Sequence, residues 1–188
     1  MNQLILHIPH SNPTIPFFDG YITDKSIIEA EMLKLTDWYT EDLFNTSQDL
    51  KIVAPFSRIF CDVERFSNDS QEVMAKYGMG VLYERSDDGM VMRKVPEELR
   101  AIILKNYYYK HHAELDTAVG DQLNRVNKAL IIDCHSFPDI PMIRDLNQDK
   151  NRPDINIGTD AFHTSDYITV ETKHFFECNG YSVGINWP

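Results

Sequence analysis

Two apolar stretches of this chain end in the same polar residues. Residues 4–13 read LILHIPHSNP and residues 129–138 read ALIIDCHSFP, so each apolar run leads into His-Ser and stops at a proline. Short apolar runs bounded by proline are typical of buried strands. A third stretch, RIFCDVERF at residues 58–66, is interpreted as a strand that carries two acids and two arginines. Three strands with polar ends predict that one site collects those ends.

Apolar strands alternate with helical segments along the chain. Strands that are apolar throughout are typical of parallel sheets covered on both faces, so the pattern predicts an α/β fold with ligands at the carboxyl ends of the strands. No repeat or linker divides the chain, which predicts a single domain over 1–188. We predict strands at 3–8, 51–55, 58–63, 80–85, 129–134, 154–158 and 181–185, and helices at 24–34, 37–47, 96–123 and 166–178.

Composition excludes several classes of partner. The net charge of −11 argues against nucleic acid, which needs a basic surface, but leaves room for a small anionic molecule held by local arginines. Apolar runs are far shorter than the ~20 residues of a membrane span, and the N-terminus does not resemble a signal peptide. The three cysteines form no CxxC pair, so we expect a reduced, cytoplasmic protein. No GxSxG, GxGxxG or Walker motif is present.

His10 and His135 follow the two matching strands and are candidate metal ligands. Two imidazoles and one carboxylate with an open fourth position form a catalytic zinc pattern. The alternative is that each histidine caps its strand or fills a polar pocket. His7, in the middle of the first strand, is expected to belong to the core. His111 and His112 lie about 100° apart on the long predicted helix, so only one of them easily faces inward.

The third ligand has several candidates. Asp37 could point inward at the start of its predicted helix, or could simply cap that helix. Asp62 and Glu64 lie two residues apart on a predicted strand and therefore share a face. Asp133 precedes His135 by two residues and could orient its imidazole, or could be an ordinary acid at a strand end.

Three arginines could bind an anionic group. Arg58 and Arg65 flank the third polar stretch, and Arg144 follows the loop after ALIIDCHSFP. The planar guanidinium suits a carboxylate, and it can also stabilise a developing oxyanion. The alternative for each arginine is an exposed side chain or a structural ion pair.

These residues form a series that resembles the N-formylglutamate amidohydrolase family. The motifs occur in order over nearly the whole chain: PHS, TDW, SR, DVER, E-x-M before GMGVLY, H-x-x-L, DCHSFP, RPDINIGTD and N-x-P. The resemblance implies a phosphorylase/hydrolase-like, three-layer α/β/α sandwich with a mostly parallel mixed sheet. It also implies a zinc-dependent amidase that releases formate, or another small acyl group, from an acylated acidic amino acid.

The resemblance also assigns roles to individual residues. Metal binding maps to His10, Asp37 and His135, with zinc the expected ion and another divalent metal an alternative. Oxyanion stabilisation is expected from Arg58 or His112, and binding of the substrate carboxylate from Arg65. Arg144 is a further candidate for that carboxylate, from its position after ALIIDCHSFP and not from the family motifs. Ser11 and Ser136, which complete the two His-Ser pairs, are further candidates for substrate binding.

Three departures from the family pattern affect the expected chemistry. Asn12 replaces the glycine common after PHS, and Glu64 replaces the asparagine of D-x-N-R. The chain ends at GINWP, whereas relatives continue into segments with a glutamate that resembles a general base, so we expect a missing C-terminal segment. Within this chain Glu64 is the best candidate base. A non-catalytic binder of acylated amino acids or peptides, and a metallopeptidase or cell-wall amidase, are the alternative functions.

Overall fold

The computed structural model describes residues 3–187, so Pro188 of the closing N-x-P motif lies outside the described part. Its contacts divide the chain into two compact units, Met1–Phe137 and Pro138–Pro188. The expectation of a single domain over 1–188 that lacks a C-terminal segment stays a prediction. The strands are β1 (Ile5–Ile8), β2 (Leu50–Val53), β3 (Ile131–Asp133), β4 (Ile155–Ile157) and β5 (Val183–Ile185). The α-helices are α1 (Lys25–Lys34), α2 (Thr40–Leu43), α3 (Glu97–Ile103), α4 (Tyr109–Val126) and α5 (Asp166–Cys178).

The first unit is built on a parallel sheet of order β2-β1-β3. In the register of the central strand, His7 lies opposite Ile52 and Asp133. Side chains alternate between the faces of a strand. Ile5 therefore packs with Ala118 of α4 on one face. Leu6 packs on the opposite face, so the central strand is buried on both sides, as its unbroken apolar run predicts.

The long predicted helix at 96–123 is divided by a short change of pitch. Its start is confirmed at Glu97, where two acids follow Pro96 and favour the first turn. A π-helical segment, Leu104–Tyr108, separates α3 from α4. Such segments are frequent at functional sites. In this unit the π-helical segment precedes the first turn of α4, which carries His111 and His112.

Two predicted strands and most of one predicted helix are wrong. Residues 58–63 form turns, because Asp62 is fully buried and its carboxylate accepts the main-chain N–H of Glu64, which bends the backbone. Residues 80–85 contribute only isolated bridges. The predicted helix at 37–47 shrinks to α2, since Tyr39 adopts a φ of 63° and the N–H of Asp37 donates to a carbonyl outside any helix.

The second unit contains a two-stranded parallel sheet, β4 with β5, and the helix α5 between them in sequence. All three elements overlap the predicted positions. Ser165 caps α5 by accepting the N–H of Ile168, which satisfies one of the free donors of the first turn. Asp154 binds both the N–H and the hydroxyl of Ser182 and so ties the two strands together.

Within residues 3–187, no helix is both long and apolar enough to span a bilayer. The three cysteines carry no disulfide in this part of the chain, with Cys61 and Cys134 buried and Cys178 exposed.

Candidate active site

The imidazoles of His10 and His135 lie side by side at the carboxyl edge of the three-stranded sheet. Their ring centroids are 5.3 Å apart. His10 follows β1 and His135 follows β3, and these strands are parallel neighbours. Since parallel strands end at the same edge of a sheet, the expected convergence of the two histidines is confirmed.

Asp37 joins the two histidines through its side chain and its backbone. Its Oδ2 lies 2.9 Å from Nδ1 of His135 and 3.9 Å from Nδ1 of His10. Its main-chain N–H donates to the carbonyl of His10 at 3.0 Å, which holds the residue against the end of β1. The structure thus brings together the three residues that the sequence suggested as metal ligands.

Asp62, which the sequence analysis named only as an alternative third ligand, lies at the centre of a buried network of polar contacts. Its carboxylate is fully buried and accepts the Nε2–H of His10 at 2.9 Å and the hydroxyl of Tyr83 at 2.9 Å. Arg58 donates to Oδ2 at 3.2 Å. Burial opposes ionisation, but His10 and Arg58 hold the pKa of Asp62 well below its usual range. Asp62 is therefore a charged acceptor that fixes the ring of His10.

His10 presents a bare nitrogen to the site. Because Asp62 accepts from Nε2, the neutral ring keeps its lone pair on Nδ1. That atom is fully buried and has no hydrogen-bond partner among the described residues. A metal-ligating histidine typically donates one ring N–H to a carboxylate and directs its other nitrogen at the metal. The donor set therefore fits a divalent cation.

Glu64 lies against both histidines. Its Oε1 is 3.1 Å from Nε2 of His135, and its Oε2 is 3.3 Å from Nδ1 of His10. The side chain is 25% accessible, so it can reach a bound molecule as well as its neighbours. Burial alone would lower the pKa of His135, but hydrogen bonds with Asp133, Asp37 and Glu64 raise it to about 12.

Three overlapping groups of side chains have ligand atoms within 4.8 Å of one another and could hold a metal ion: His10 with Asp37 and His135, His7 with Glu64 and Asp133, and His10 with Asp62 and Glu64. The first group combines the unpartnered Nδ1 of His10 with the carboxylate oxygens of Asp37. It also matches the two-imidazole, one-carboxylate composition of catalytic zinc centres.

The family model described as N-formylglutamate amidohydrolase matches this chain over residues 2–188. The chain belongs to the N-formylglutamate amidohydrolase family. Membership indicates a hydrolase that acts on amides. None of the curated proteins compared with the chain matches it.

A solved structure supports the same fold for this member of the family. The crystal structure of an N-formylglutamate amidohydrolase from Ralstonia eutropha JMP134 aligns with a TM-score of 0.81. It is 19% identical in sequence, and the alignment covers 97% of this chain and 71% of that one. At this identity the likeness is evidence for the mixed α/β fold with parallel sheets.

Both arginines of the RIFCDVERF stretch are already engaged by carboxylates. Arg58 lies 3.7 Å from Oδ1 of Asp37 in addition to its contact with Asp62. Arg65 lies 3.5 Å from Oδ2 of Asp62 and 3.4 Å from Glu72. Arg58 is 17% accessible and Arg65 26%, so each can meet a ligand only from one side. Roles in binding an anion stay predictions for both.

The helix α4 and the π-helical segment before it hold the turn that carries Asp62 and Glu64. His112 Nε2–H donates to the carbonyl of Val63 at 2.9 Å, and the Tyr108 hydroxyl donates to the carbonyl of Arg65 at 2.9 Å. These bonds satisfy main-chain acceptors that a strand would have paired with a neighbour. The structure thus places His112 behind the site, with its Nε2 occupied.

The remaining predicted residues are spread around the site or lie in the second unit. Ser136 donates its hydroxyl to the carbonyl of Trp38 at 2.8 Å, which ties the end of β3 to the segment that carries Asp37. The Oγ of Ser11 is buried and has no hydrogen-bond partner among the described residues. Arg144 belongs to the second unit.

Sequence reasoning named Asp62 as a possible third ligand but missed its contact with His10, because it treated residues 58–63 as a strand. In a strand, Asp62 and Glu64 would only share a face, whereas the turn lets both carboxylates reach the same histidine. The run of an acid, an apolar residue, an acid and an arginine was visible in the sequence. The signal that could have identified the turn is the short polar side chain of Asp62, which often binds the main chain two residues later.

Proposed function

We propose that this chain is a metal-dependent amidohydrolase of small N-acyl amino acids, with zinc as the first choice of metal. His10, Asp37 and His135 would hold the ion. The observation that carries this proposal is the buried, unpartnered Nδ1 of His10, which is backed by Asp62 and directed at carboxylate oxygens. A divalent cation there would supply Lewis acidity to the amide carbonyl and lower the pKa of the attacking water towards ~7.

Glu64 is the general base in this proposal. Its carboxylate borders the cluster and remains partly accessible, so it can take the proton of a water that attacks the amide carbon. The same carboxyl group then returns the proton to the departing amine nitrogen as the C–N bond breaks. The products are the small acid and the free amino acid. Glu64 thereby takes the role of general base, which the family resemblance assigns to a glutamate in a later segment.

Arg58 is assigned to the oxyanion. Its guanidinium adjoins Asp37 and carries a raised pKa, because the neighbouring Tyr83, Asp62 and Asp37 outweigh the burial that would lower it. A permanent cation at the mouth of a partly buried site stabilises charge that develops on the carbonyl oxygen. His112 was the other candidate, but its Nε2 is occupied by Val63, so we assign it to holding the turn.

The substrate is proposed to be a small N-acyl, typically N-formyl, acidic amino acid. Arg65, Ser11 and Ser136 are the candidate contacts within the first unit. A three-layer sandwich, a cytoplasmic location and the absence of nucleic-acid and membrane partners remain parts of this proposal.

A substrate panel tests the function directly. Protein without a histidine tag is incubated with N-formyl, N-acetyl and N-succinyl derivatives of Glu, Asp, Gln and Leu, and the release of free amine is measured. We expect turnover of at least one N-formyl substrate, loss of turnover with a chelator, and recovery with added zinc. Melting that shifts with a ligand but without turnover would favour the binder, and cleavage of peptides alone would favour the peptidase.

A further inference from the structure

A second pair of histidines is buried next to the proposed site. His7 in β1 and His111 in α4 face each other with their Nε2 atoms 2.8 Å apart, and both are nearly inaccessible. Nδ1 of His7 lies 2.7 Å from Oδ1 of Asp133. The three side chains form a continuous chain of hydrogen bonds from the helix, across the central strand, to the end of β3.

The chemistry of these groups fixes where the hydrogens lie. A carboxylate only accepts, so Nδ1 of His7 donates to Asp133. In the neutral ring Nε2 of His7 is then an acceptor, and the hydrogen between the two imidazoles belongs to His111. Burial is the main cause that lowers the pKa of His111, to about 4, which agrees with a neutral ring. Its own Nδ1 is buried without a hydrogen-bond partner among the described residues.

Asp133, the last residue of this chain of bonds, lies beside the proposed metal ligand His135. While Oδ1 of Asp133 accepts from His7, Oδ2 lies 3.8 Å from Nε2 of His135. The Asp133 side chain is 52% accessible, so surrounding atoms do not enclose it. The bond from His7 therefore ties a half-exposed carboxylate to the side of His135.

We propose that His111 is a positioning residue for this site: by donating its Nε2–H it holds His7 in the tautomer that orients Asp133 towards His135. The inference rests on the proposed function, because it concerns the same cluster. It also explains why a histidine, and not an apolar residue, occupies position 111. An apolar residue on this face of α4 would bury as well as histidine does, as Ala118 does two turns later, but it could not donate to His7.

Two substitutions at one position separate positioning from packing. In His111→Gln, the side-chain amide can donate from nearly the same place as the imidazole Nε2, whereas His111→Leu keeps bulk and removes the donor. The first readout is the imidazole nitrogen spectrum of protein labelled with ¹⁵N-histidine, which reports the tautomer of His7 without metal or substrate. The second readout is the affinity for zinc, measured by competition with a chromophoric chelator.

We expect His7 to carry its hydrogen on Nδ1 in the wild type and in His111→Gln, and to populate both tautomers in His111→Leu. Zinc affinity should fall about 3- to 10-fold in His111→Leu and less than about twofold in His111→Gln, since an indirect contact should weigh less than a direct second-sphere one. An unchanged His7 tautomer in His111→Leu, or equal behaviour of the two variants, would overturn the inference. If His111→Leu does not fold, His111→Asn, whose amide is too short to reach His7, replaces it.

The tautomer readout keeps this inference separate from the proposed activity. If the wild type turns over no substrate but the His7 tautomer depends on residue 111, the positioning role stands and the amidase proposal fails. If substrates are turned over and the tautomer does not depend on residue 111, only the positioning role fails.

Discussion

The carboxylate of Asp62 lies 2.9 Å from Nε2 of His10, and both side chains are almost completely buried. This contact sets the orientation of the ring and leaves Nδ1 directed at Asp37 and Glu64. Two arginines and one tyrosine hold Asp62 in turn. The ring of His10 is therefore oriented by a carboxylate that is itself fully buried.

Asp62→Asn should weaken zinc binding. The neutral amide can still accept from His10, but it loses the charge that makes the imidazole a better ligand. We expect the zinc affinity to fall about 10- to 100-fold, as removal of an outer-sphere carboxylate usually does. Competition with a chromophoric chelator measures this. The control is Asp121→Asn on the exposed face of α4, and equal affinities for the two variants would contradict the role of Asp62.

Glu64→Gln should abolish most turnover while the metal content of the protein stays unchanged. The amide keeps the size of the side chain but cannot take a proton, so we expect kcat to fall about 10²- to 10⁴-fold. Steady-state kinetics on the best substrate of the panel, with metal content measured on the same samples, checks this. Glu114→Gln, an exposed residue of α4, is the matched control. A kcat within about threefold of the control would place the base elsewhere.

Tyr83→Phe should destabilise the fold. The phenol is buried and donates to Asp62, and burial is the main cause that raises its pKa to about 12. Removal of a hydrogen bond to a buried charge should cost about 1.5–3 kcal/mol of unfolding free energy. Urea unfolding measures the cost against Tyr109→Phe, whose ring is half exposed and which should change stability by less than about 0.5 kcal/mol. Equal stability of the two variants would refute the contribution of this bond.

The stability of Glu31→Gln, relative to that of the wild type, should increase as the pH rises. Glu31 is buried and accepts the N–H of Asp87, and burial raises the pKa of its carboxyl. The folded state therefore binds this proton more tightly than the unfolded chain, so the stability from the protonated form is present at low pH and is lost as the pH rises through the folded pKa. We expect the unfolding free energy of Glu31→Gln to increase relative to the wild type between about pH 4 and 7.

The exposed neighbour on the same helix provides the control for that experiment. Glu29 is half exposed and pairs with Lys25, so Glu29→Gln should show a nearly constant difference from the wild type over the same pH range. A difference for Glu31→Gln that is flat, or that decreases with pH, would contradict the assigned direction.

The sequence predicted the parts of the site that depend on strand ends. His10 and His135 could be placed together because each follows an apolar strand, and neighbouring parallel strands end at one edge. The sequence also indicated Asp37, as one of several candidates for the third ligand. The parallel α/β organisation followed from the same pattern.

The parts that the sequence could not give depend on distant partners. Asp62 is buried as an ion only because His10, Arg58 and Tyr83 come from three separate segments to hold it. His111 faces His7 only because α4 packs on one face of β1, which the periodicity of α4 alone does not specify. Local propensity also favoured a strand at 58–63, and the demand of a buried carboxylate for donors outweighed it.

Metal analysis of the untagged protein tests the central claim most directly. After dialysis against zinc and removal of free ion, the wild type should retain about one equivalent, since two imidazoles and a carboxylate complete a catalytic zinc site. His10→Asn, Asp37→Asn and His135→Asn should each retain less than about a tenth of that amount, while His163→Asn in the second unit should match the wild type. A wild type that retains less than about a tenth of an equivalent of any divalent metal, or a triad variant that keeps a full equivalent, would contradict the account.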